Sequence, residues 1–268
     1  MKNRFRSNSD PPKSKAAPQP SEPQSAPVFR LFLFLYVLTI AAQMVSLAFG
    51  RIDESSSFAS IAFPSALFLS LITIPSIWIG LILGRQVGLG SPLFGGLLSG
   101  DAGCFREFVR QAGLAAILGV AVGALLLLIR QFSAPYLPPE VPAFGHRGVI
   151  GGLAVSFGAA VGEEIWFRLG LMTLLVWGGS RLFSDRNPRP GMVWIIIIVS
   201  AVAFGAAHLP QLLSYGAGSP FAIGGTILGN TAVGTLYGWC FWRKSLFAAM
   251  VAHFTVDLMI HVLPAFVG

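Results

Sequence analysis

The stretch V161-G-E-E-I-W-F-R-L-G170 places two adjacent carboxylates and an arginine inside a long apolar segment. The chain around it is 54% hydrophobic and only 11% charged, whereas soluble proteins average about 25% charged residues. A charged side chain near the centre of a bilayer costs roughly 2.5 to 3.5 kcal/mol, so it is retained mainly where it pairs or does chemistry. The stretch therefore predicts an integral membrane protein with an internal polar site.

Seven apolar runs are long enough to cross a hydrocarbon core, which takes about 20 residues. The fold class predicted is therefore an all-α polytopic membrane helix bundle of about seven transmembrane helices. The fourth run is long enough to be tilted or broken. Before the third run, residues 104–110 suggest a short amphipathic helix on the membrane surface. The seven runs cover residues 29–49, 58–83, 114–130, 149–178, 192–214, 221–242 and 246–266.

Three regions follow from this pattern. Residues 1–28 are basic and rich in proline and serine, which predicts a disordered cytoplasmic tail. Residues 29–147 hold the first transmembrane helices and the connecting amphipathic segment. Residues 148–268 form a transmembrane core that carries the intramembrane ionisable residues.

The Lys and Arg residues fall mostly in segments on the same side of the membrane as the N-terminus. This asymmetry predicts that the N-terminus lies inside. It also accounts for the net charge of +7, because basic segments face an anionic leaflet. We therefore expect the lipid bilayer as a partner and no nucleic acid.

Three of the predicted helices carry the ionisable residues of the membrane interior. The fourth holds Glu163, Glu164 and Arg168, and the fifth holds His208. The seventh holds His253, Asp257 and His261. We expect these helices to converge on one internal site. Straight helices with these boundaries would leave His208 and His253 at different depths, so convergence requires either different boundaries or a tilted, displaced or broken helix.

Spacing within the helices suggests how these groups pair. Glu164 and Arg168 are four residues apart, so one helix face presents them as an ion pair. Glu163 points away from that face and is left without the arginine, which suits a general base. His253 and Asp257 share a face by the same spacing, and His261 continues the row.

Structural roles compete with these functional ones. The Glu164–Arg168 pair could simply lock helices together. His208 could be a hydrogen-bonded packing residue, and His261 could lie at the membrane interface. Glu163 is the hardest to explain structurally, because its partner has to come from another helix, and the histidines are the candidates.

The motifs E163-E-I-W-F-R168, F204-G-A-A-H208 and H253-F-T-V-D257 resemble those of the CPBP family, also called the Abi family. These are intramembrane proteases related to CAAX prenyl endopeptidases and to bacteriocin-processing or self-immunity proteins. The approach to the third motif, from Gly234 onward, is similar too. The resemblance covers about residues 149–260, less than half of the chain.

The resemblance implies a role for each matched residue. Glu163 would activate the water that attacks a peptide carbonyl, and His208 would share the proton transfer or orient that water. His253 and Asp257 would stabilise the oxyanion or position the substrate. Arg168 would hold Glu164 and the local helix geometry.

Two departures from the family pattern affect these roles. Leu169 stands between the motif arginine and Gly170, where the family often has glycine directly after the arginine. Asp257 stands where asparagine is commoner, and an ionised carboxylate cannot donate to an oxyanion. Carboxylates with histidines leave Zn²⁺ possible, but H-E-x-x-H is absent and the family mechanism needs no metal, so no cofactor is favoured.

The leading hypothesis is thus an intramembrane endopeptidase of the bacterial cytoplasmic (inner) membrane. Its substrate would be a membrane-embedded or lipidated peptide or protein. Two alternatives remain: a transporter or channel that uses the intramembrane Glu, His and Asp residues, and a non-catalytic immunity or scaffold relative.

Overall fold

The computed structural model describes residues 28–50, 57–182 and 188–266, and these residues form helices and no strand. The predicted tail lies outside the described residues, apart from Val28, which begins the first helix. The α-helices are α1 (Val28–Phe49), α2 (Phe58–Leu83), α3 (Pro92–Leu98), α4 (Ala102–Ser133), α5 (Gly148–Glu163), α6 (Thr173–Leu182), α7 (Pro190–Ala207), α8 (Leu209–Ser214), α9 (Pro220–Arg243) and α10 (Leu246–Asp257). Short 3₁₀ turns cover Gly84–Gln86, Ala134–Tyr136 and Leu263–Phe266.

The fold class predicted from the sequence is confirmed as an all-α polytopic bundle. Six helical stretches of the described chain are long and apolar enough to cross a membrane. The count of about seven is approximate, and α9 accounts for the difference. It has 24 residues but is rich in glycine and threonine, and it packs between α7 and α10.

The prediction of a separate surface helix at residues 104–110 is wrong. These residues are instead the first turns of α4, which runs without interruption to Ser133. The helix starts early because the Asp101 side chain accepts a hydrogen bond from the Gly103 N–H, at 2.8 Å, and so caps the N-terminus. The buried residues Cys104 and Gln111 give this first part of α4 a face directed into the bundle.

Both consecutive helices and helices that are distant in sequence pack together to form the bundle. α1 packs along α2 and α5, α10 packs against α4 and α9, and α7 packs against α9. The α7–α9 contact is very close, since a Cβ atom added at Gly205 would lie 2.7 Å from the Ile227 carbonyl oxygen. Glycine at 205 therefore lets the backbone of α9 approach α7.

Two π-helical segments interrupt the helices at the polar residues. The first π-helix, Glu164–Met172, continues directly from α5 into α6, and the second, Leu258–Val262, follows α10. Thr173 supports the first one by donating its hydroxyl to the Arg168 carbonyl, at 3.2 Å. The long fourth span is thus continuous but locally widened, and such π segments frequently occur at functional sites.

Candidate active site

Glu164 occupies the centre of the polar group and is completely buried. It is the first residue of the first π-helix. Its Oε1 accepts a hydrogen bond from His253 Nδ1 at 2.8 Å, and its Oε2 lies 3.3 Å from Arg168 Nε. The predicted pairing with Arg168 is present, and the carboxylate also binds a histidine from α10.

Arg168 is the largest fully buried side chain among the described residues. Beyond Glu164, its Nη2 donates to the Gly234 carbonyl of α9 at 3.1 Å. Its guanidinium lies over the rings of Phe204 and Tyr237, at 4.6 and 5.2 Å from the centroids. These contacts to α7 and α9 compensate for burying a charge, because aromatic faces attract cations.

Glu163 and Asp257 approach the other nitrogen of the same histidine. Glu163 Oε2 and Asp257 Oδ2 each lie 3.7 Å from His253 Nε2. Glu163 ends α5 and Asp257 ends α10, so the start of each π-helix adjoins one of these carboxylates. The Glu163 side chain is 23% exposed and that of Asp257 is 9% exposed, so Glu163 is the more accessible of the two.

His253 is therefore surrounded by three carboxylates on two helices. An ionised carboxylate only accepts hydrogen bonds, so the bond to Glu164 assigns a proton to Nδ1. Nε2 then faces Glu163 and Asp257. The imidazole plane is held by Tyr237, whose ring stacks on it with centroids 4.4 Å apart and planes 13° apart.

His208 lies at the break between α7 and α8, half-buried. Its Nδ1 donates to the Phe204 carbonyl at 2.8 Å, since a carbonyl can only accept. The Phe204 ring lies 4.8 Å from the His208 ring and 5.9 Å from the His253 ring, between centroids. Phe204 thus brings the two histidines to one neighbourhood, although no bond joins His208 to Glu163 in the described part of the chain.

The difference in depth expected from straight helices does not keep the two histidines apart, because the Phe204 ring lies near both of their rings. The predicted span 192–214 consists of α7 and α8, which meet at His208. His261 lies on the second π-helix and takes no part in the hydrogen-bonded and ion-paired group, as far as the described residues extend.

Among residues 28–50, 57–182 and 188–266, no group of three or more His, Cys, Asp or Glu side chains is placed to hold a metal ion. Nδ1 of His253 is bonded to Glu164, and Nε2 faces Glu163 and Asp257. The expectation that catalysis needs no cofactor stays a prediction.

Three residues near the candidate site were not predicted from the sequence. Tyr237 carries the stack on His253, and Gln43 of α1 donates to the Gly158 carbonyl at 2.7 Å. Thr73 of α2 accepts a hydrogen bond from Trp166 Nε1 at 2.9 Å. None of them is ionisable in the usual range, so a search for charged groups inside apolar spans passes over them.

The displaced glycine of the first motif has a structural consequence. Gly170 lies in the first π-helix, where an added Cβ would come within 2.8 Å of the Ser76 side chain. The glycine therefore allows α2 to pack closely on the π-helix, one position later than the family pattern would suggest.

Residues 146–259 match the family model described as Type II CAAX prenyl endopeptidase Rce1-like. This region, less than half of the chain, is thus similar to CAAX proteases, in agreement with the resemblance of the motifs. The matched region runs from just before α5 into the second π-helix and contains all six motif residues. No curated protein and no solved structure matches the chain. The matched model describes endopeptidases, and the six apolar helices support an integral membrane protein.

Proposed function

We propose that the protein is an intramembrane endopeptidase that hydrolyses a peptide bond with water activated by Glu163. The observation that carries the proposal is the position of His253, which has Glu164 on one nitrogen and Glu163 and Asp257 on the other. Such a carboxylate and imidazole group can accept, hold and return a proton, which is the work of general acid–base catalysis. The family match supports hydrolysis of peptide bonds as the reaction.

Glu163 is the best placed of the three carboxylates to act as the base. Glu164 is engaged by Arg168 and His253, which fix its position. The Glu163 side chain is the most exposed of the three, although its Oε2 atom is buried without a hydrogen-bond partner among the described residues. Substrate water can therefore reach Glu163 more easily than the other two.

In the proposed reaction, Glu163 takes one proton from the attacking water and later gives it to the leaving amine. The water oxygen forms a bond to the peptide carbonyl carbon while a water proton passes to Glu163. The C–N bond then breaks, and the proton is delivered to the leaving amine. His253 and Asp257 position the reacting groups, and Nε2 of His208 orients the water or shares its proton.

Substrates would be membrane-embedded or lipidated peptides, because the site lies within helices long enough to span a bilayer. The surrounding helices are strongly apolar on their outer faces, so an apolar segment or lipid anchor would approach through the bilayer. Nothing in the arrangement requires a serine or cysteine nucleophile, and no acyl-enzyme is part of the proposal.

The test is cleavage of fluorogenic peptides by the purified full chain in liposomes. Lipidated and unlipidated versions of one peptide should be compared, with wild type beside Glu163→Gln. We expect Glu163→Gln to lower kcat at least about 100-fold, which is typical for loss of a general base. Glu140→Gln is the matched control, because Glu140 is exposed and remote from the group, and it should cleave like wild type.

Undiminished cleavage by Glu163→Gln would contradict the assignment of the base. Absence of cleavage by wild type, together with ion or solute flux through the same liposomes that depends on Glu163, would favour a transporter instead. Activity that persists after treatment with a strong chelator is expected, and its loss with recovery on adding Zn²⁺ would contradict the metal-free reaction.

A further inference from the structure

A cavity of about 640 Å³ lies at one end of the bundle, apart from the residues around His253. It is bordered by the end of α2, the starts of α3 and α4, and the turn from α9 to α10. None of the six motif residues lines it. The cavity therefore needs an explanation other than the proposed catalysis.

One part of its wall is apolar. Leu31, Leu81 and Leu93 line the cavity, and each is less than a tenth exposed. They come from α1, α2 and α3, three helices of the membrane bundle. This wall suits a hydrocarbon chain, because apolar surface is favourably buried against it.

The other part of the wall is polar and includes a buried hydroxyl. Ser91 is 5% exposed, and its Oγ has no hydrogen-bond partner among the described residues. The neighbouring Gln111 and Ser245 are also buried but are bonded to each other. A buried hydroxyl without a partner costs free energy. Ser91 therefore points to a polar atom that a ligand supplies.

The charges at the mouth favour an anion. Arg85 and Lys244 line the cavity together with the carboxylates Asp101 and Glu107. Glu107 binds Arg110 through two hydrogen bonds of 2.9 and 2.6 Å, and Lys244 also attracts it electrostatically. Three cations therefore accompany two carboxylates, and the excess positive charge attracts a phosphate group.

We propose that this cavity binds a glycerophospholipid. Its phosphodiester lies between Arg85 and Lys244 and accepts a hydrogen bond from Ser91, and an acyl chain lies against the leucines. The same end of the bundle carries the basic segments that the sequence predicts to face the anionic cytoplasmic leaflet. The proposal is independent of the catalytic function.

The test measures thermal unfolding of the delipidated full chain in neutral detergent. Three probes are titrated: dioctanoyl phosphatidylglycerol, dioctanoylglycerol and glycerol 3-phosphate. We expect a saturable rise in the unfolding temperature with the phospholipid only, because a ligand that binds the folded state stabilises it. The diacylglycerol lacks the phosphate, and glycerol 3-phosphate lacks the acyl chains.

Variants locate the effect in the cavity. Arg85→Gln with Lys244→Gln should weaken the apparent affinity for the phospholipid about 30-fold, from two lost charge contacts. The matched control is Arg106→Gln with Arg243→Gln, which removes two exposed charges from the same end of the bundle but outside the cavity. The control should bind like wild type.

Ser91→Ala provides a second, milder variant. Its hydroxyl has no protein partner, so its loss should not lower the unfolding temperature without lipid, yet it should weaken binding about tenfold. Equal weakening in the control pair would overturn the proposal, since it would indicate general attraction to basic residues. Equal stabilisation by dioctanoylglycerol or by glycerol 3-phosphate would overturn it too, by assigning the cavity to an apolar or a soluble phosphate ligand.

Discussion

His253 Nδ1 lies 2.8 Å from Glu164 Oε1, and this bond joins α10 to the first π-helix across 89 residues of sequence. Through this bond, Glu164 has a second partner beside Arg168. Because the carboxylate accepts the bond, His253 Nδ1 carries the proton. The histidine is thereby oriented with its other nitrogen toward Glu163 and Asp257. One buried carboxylate thus serves both the stability of the bundle and the geometry of the candidate active site.

Loss of the Glu164 charge is expected to destabilise the whole bundle. Glu164→Gln leaves Arg168 buried without a counter-charge, which costs about 3 kcal/mol or more in the free energy of unfolding. Denaturant unfolding of the full chain in detergent measures this. Adding Arg168→Met to Glu164→Gln should restore part of the loss, since a buried pair can be replaced by neutral side chains. A double variant less stable than Glu164→Gln alone would contradict this account.

Close packing of α7 on α9 gives a second prediction. Gly205→Ala would place a methyl group 2.7 Å from the Ile227 carbonyl oxygen, so the helices must separate, at a cost of about 1 to 3 kcal/mol. Because Phe204 and His208 flank this position, activity should fall as well. Gly224→Ala in α9 is the matched control, because nothing lies within 4 Å of its added Cβ and stability should not fall. Both variants raise helix propensity, so a comparison of their thermal unfolding isolates the effect of the close packing at position 205.

Local spacing predicted part of the site correctly. The four-residue spacing of Glu164 and Arg168, and of His253 and Asp257, gives pairs on one helix face, and both pairs are present. The approach of His253 to Glu164 depends on how α10 packs against the first π-helix. Sequence periodicity contains no information on that long-range contact. The ionisable residues on three apolar helices made the convergence expected, but they did not specify the bond.

The role of Tyr237 and the continuity of α4 were not predicted from the sequence, for two different physical reasons. Tyr237 looks like one more apolar residue of α9, because its role comes from the face of its ring rather than from a charge. The continuity of α4 was missed because charged residues at 106–110 suggest a surface segment, whereas the cap at Asp101 starts a helix that also contains the apolar run.

Tyr237 should act on His253 through its ring and not through its hydroxyl. The hydroxyl is buried without a hydrogen-bond partner among the described residues, so Tyr237→Phe should keep both stability and activity. Tyr237→Leu removes the stack and should lower kcat about tenfold with little change in KM. Peptide cleavage by the two variants measures this.

Tyr36→Phe is the control for removing a hydroxyl. Tyr36 shares a 2.8 Å hydrogen bond with Ser70, so its loss should cost about 1 kcal/mol of stability while leaving kcat unchanged. If Tyr237→Phe lost as much activity as Tyr237→Leu, the hydroxyl rather than the ring would be the functional group.

Glu163 and Asp257 lie at the same distance from His253 Nε2, yet their amide variants should differ. Glu163→Gln abolishes the proposed base, because an amide cannot take the proton of the attacking water, and kcat should fall at least about 100-fold. Asp257→Asn keeps the shape of the side chain and adds an N–H donor, which can bind an oxyanion or His253 Nε2. Its kcat should therefore stay within about tenfold of wild type, a range that corresponds to about 1.36 kcal/mol in the activation free energy.

Asp257→Leu controls for the loss of all polar contact and should be clearly less active than Asp257→Asn. A large loss in Asp257→Asn with retained activity in Glu163→Gln would reverse the roles, and Asp257 would then be the base.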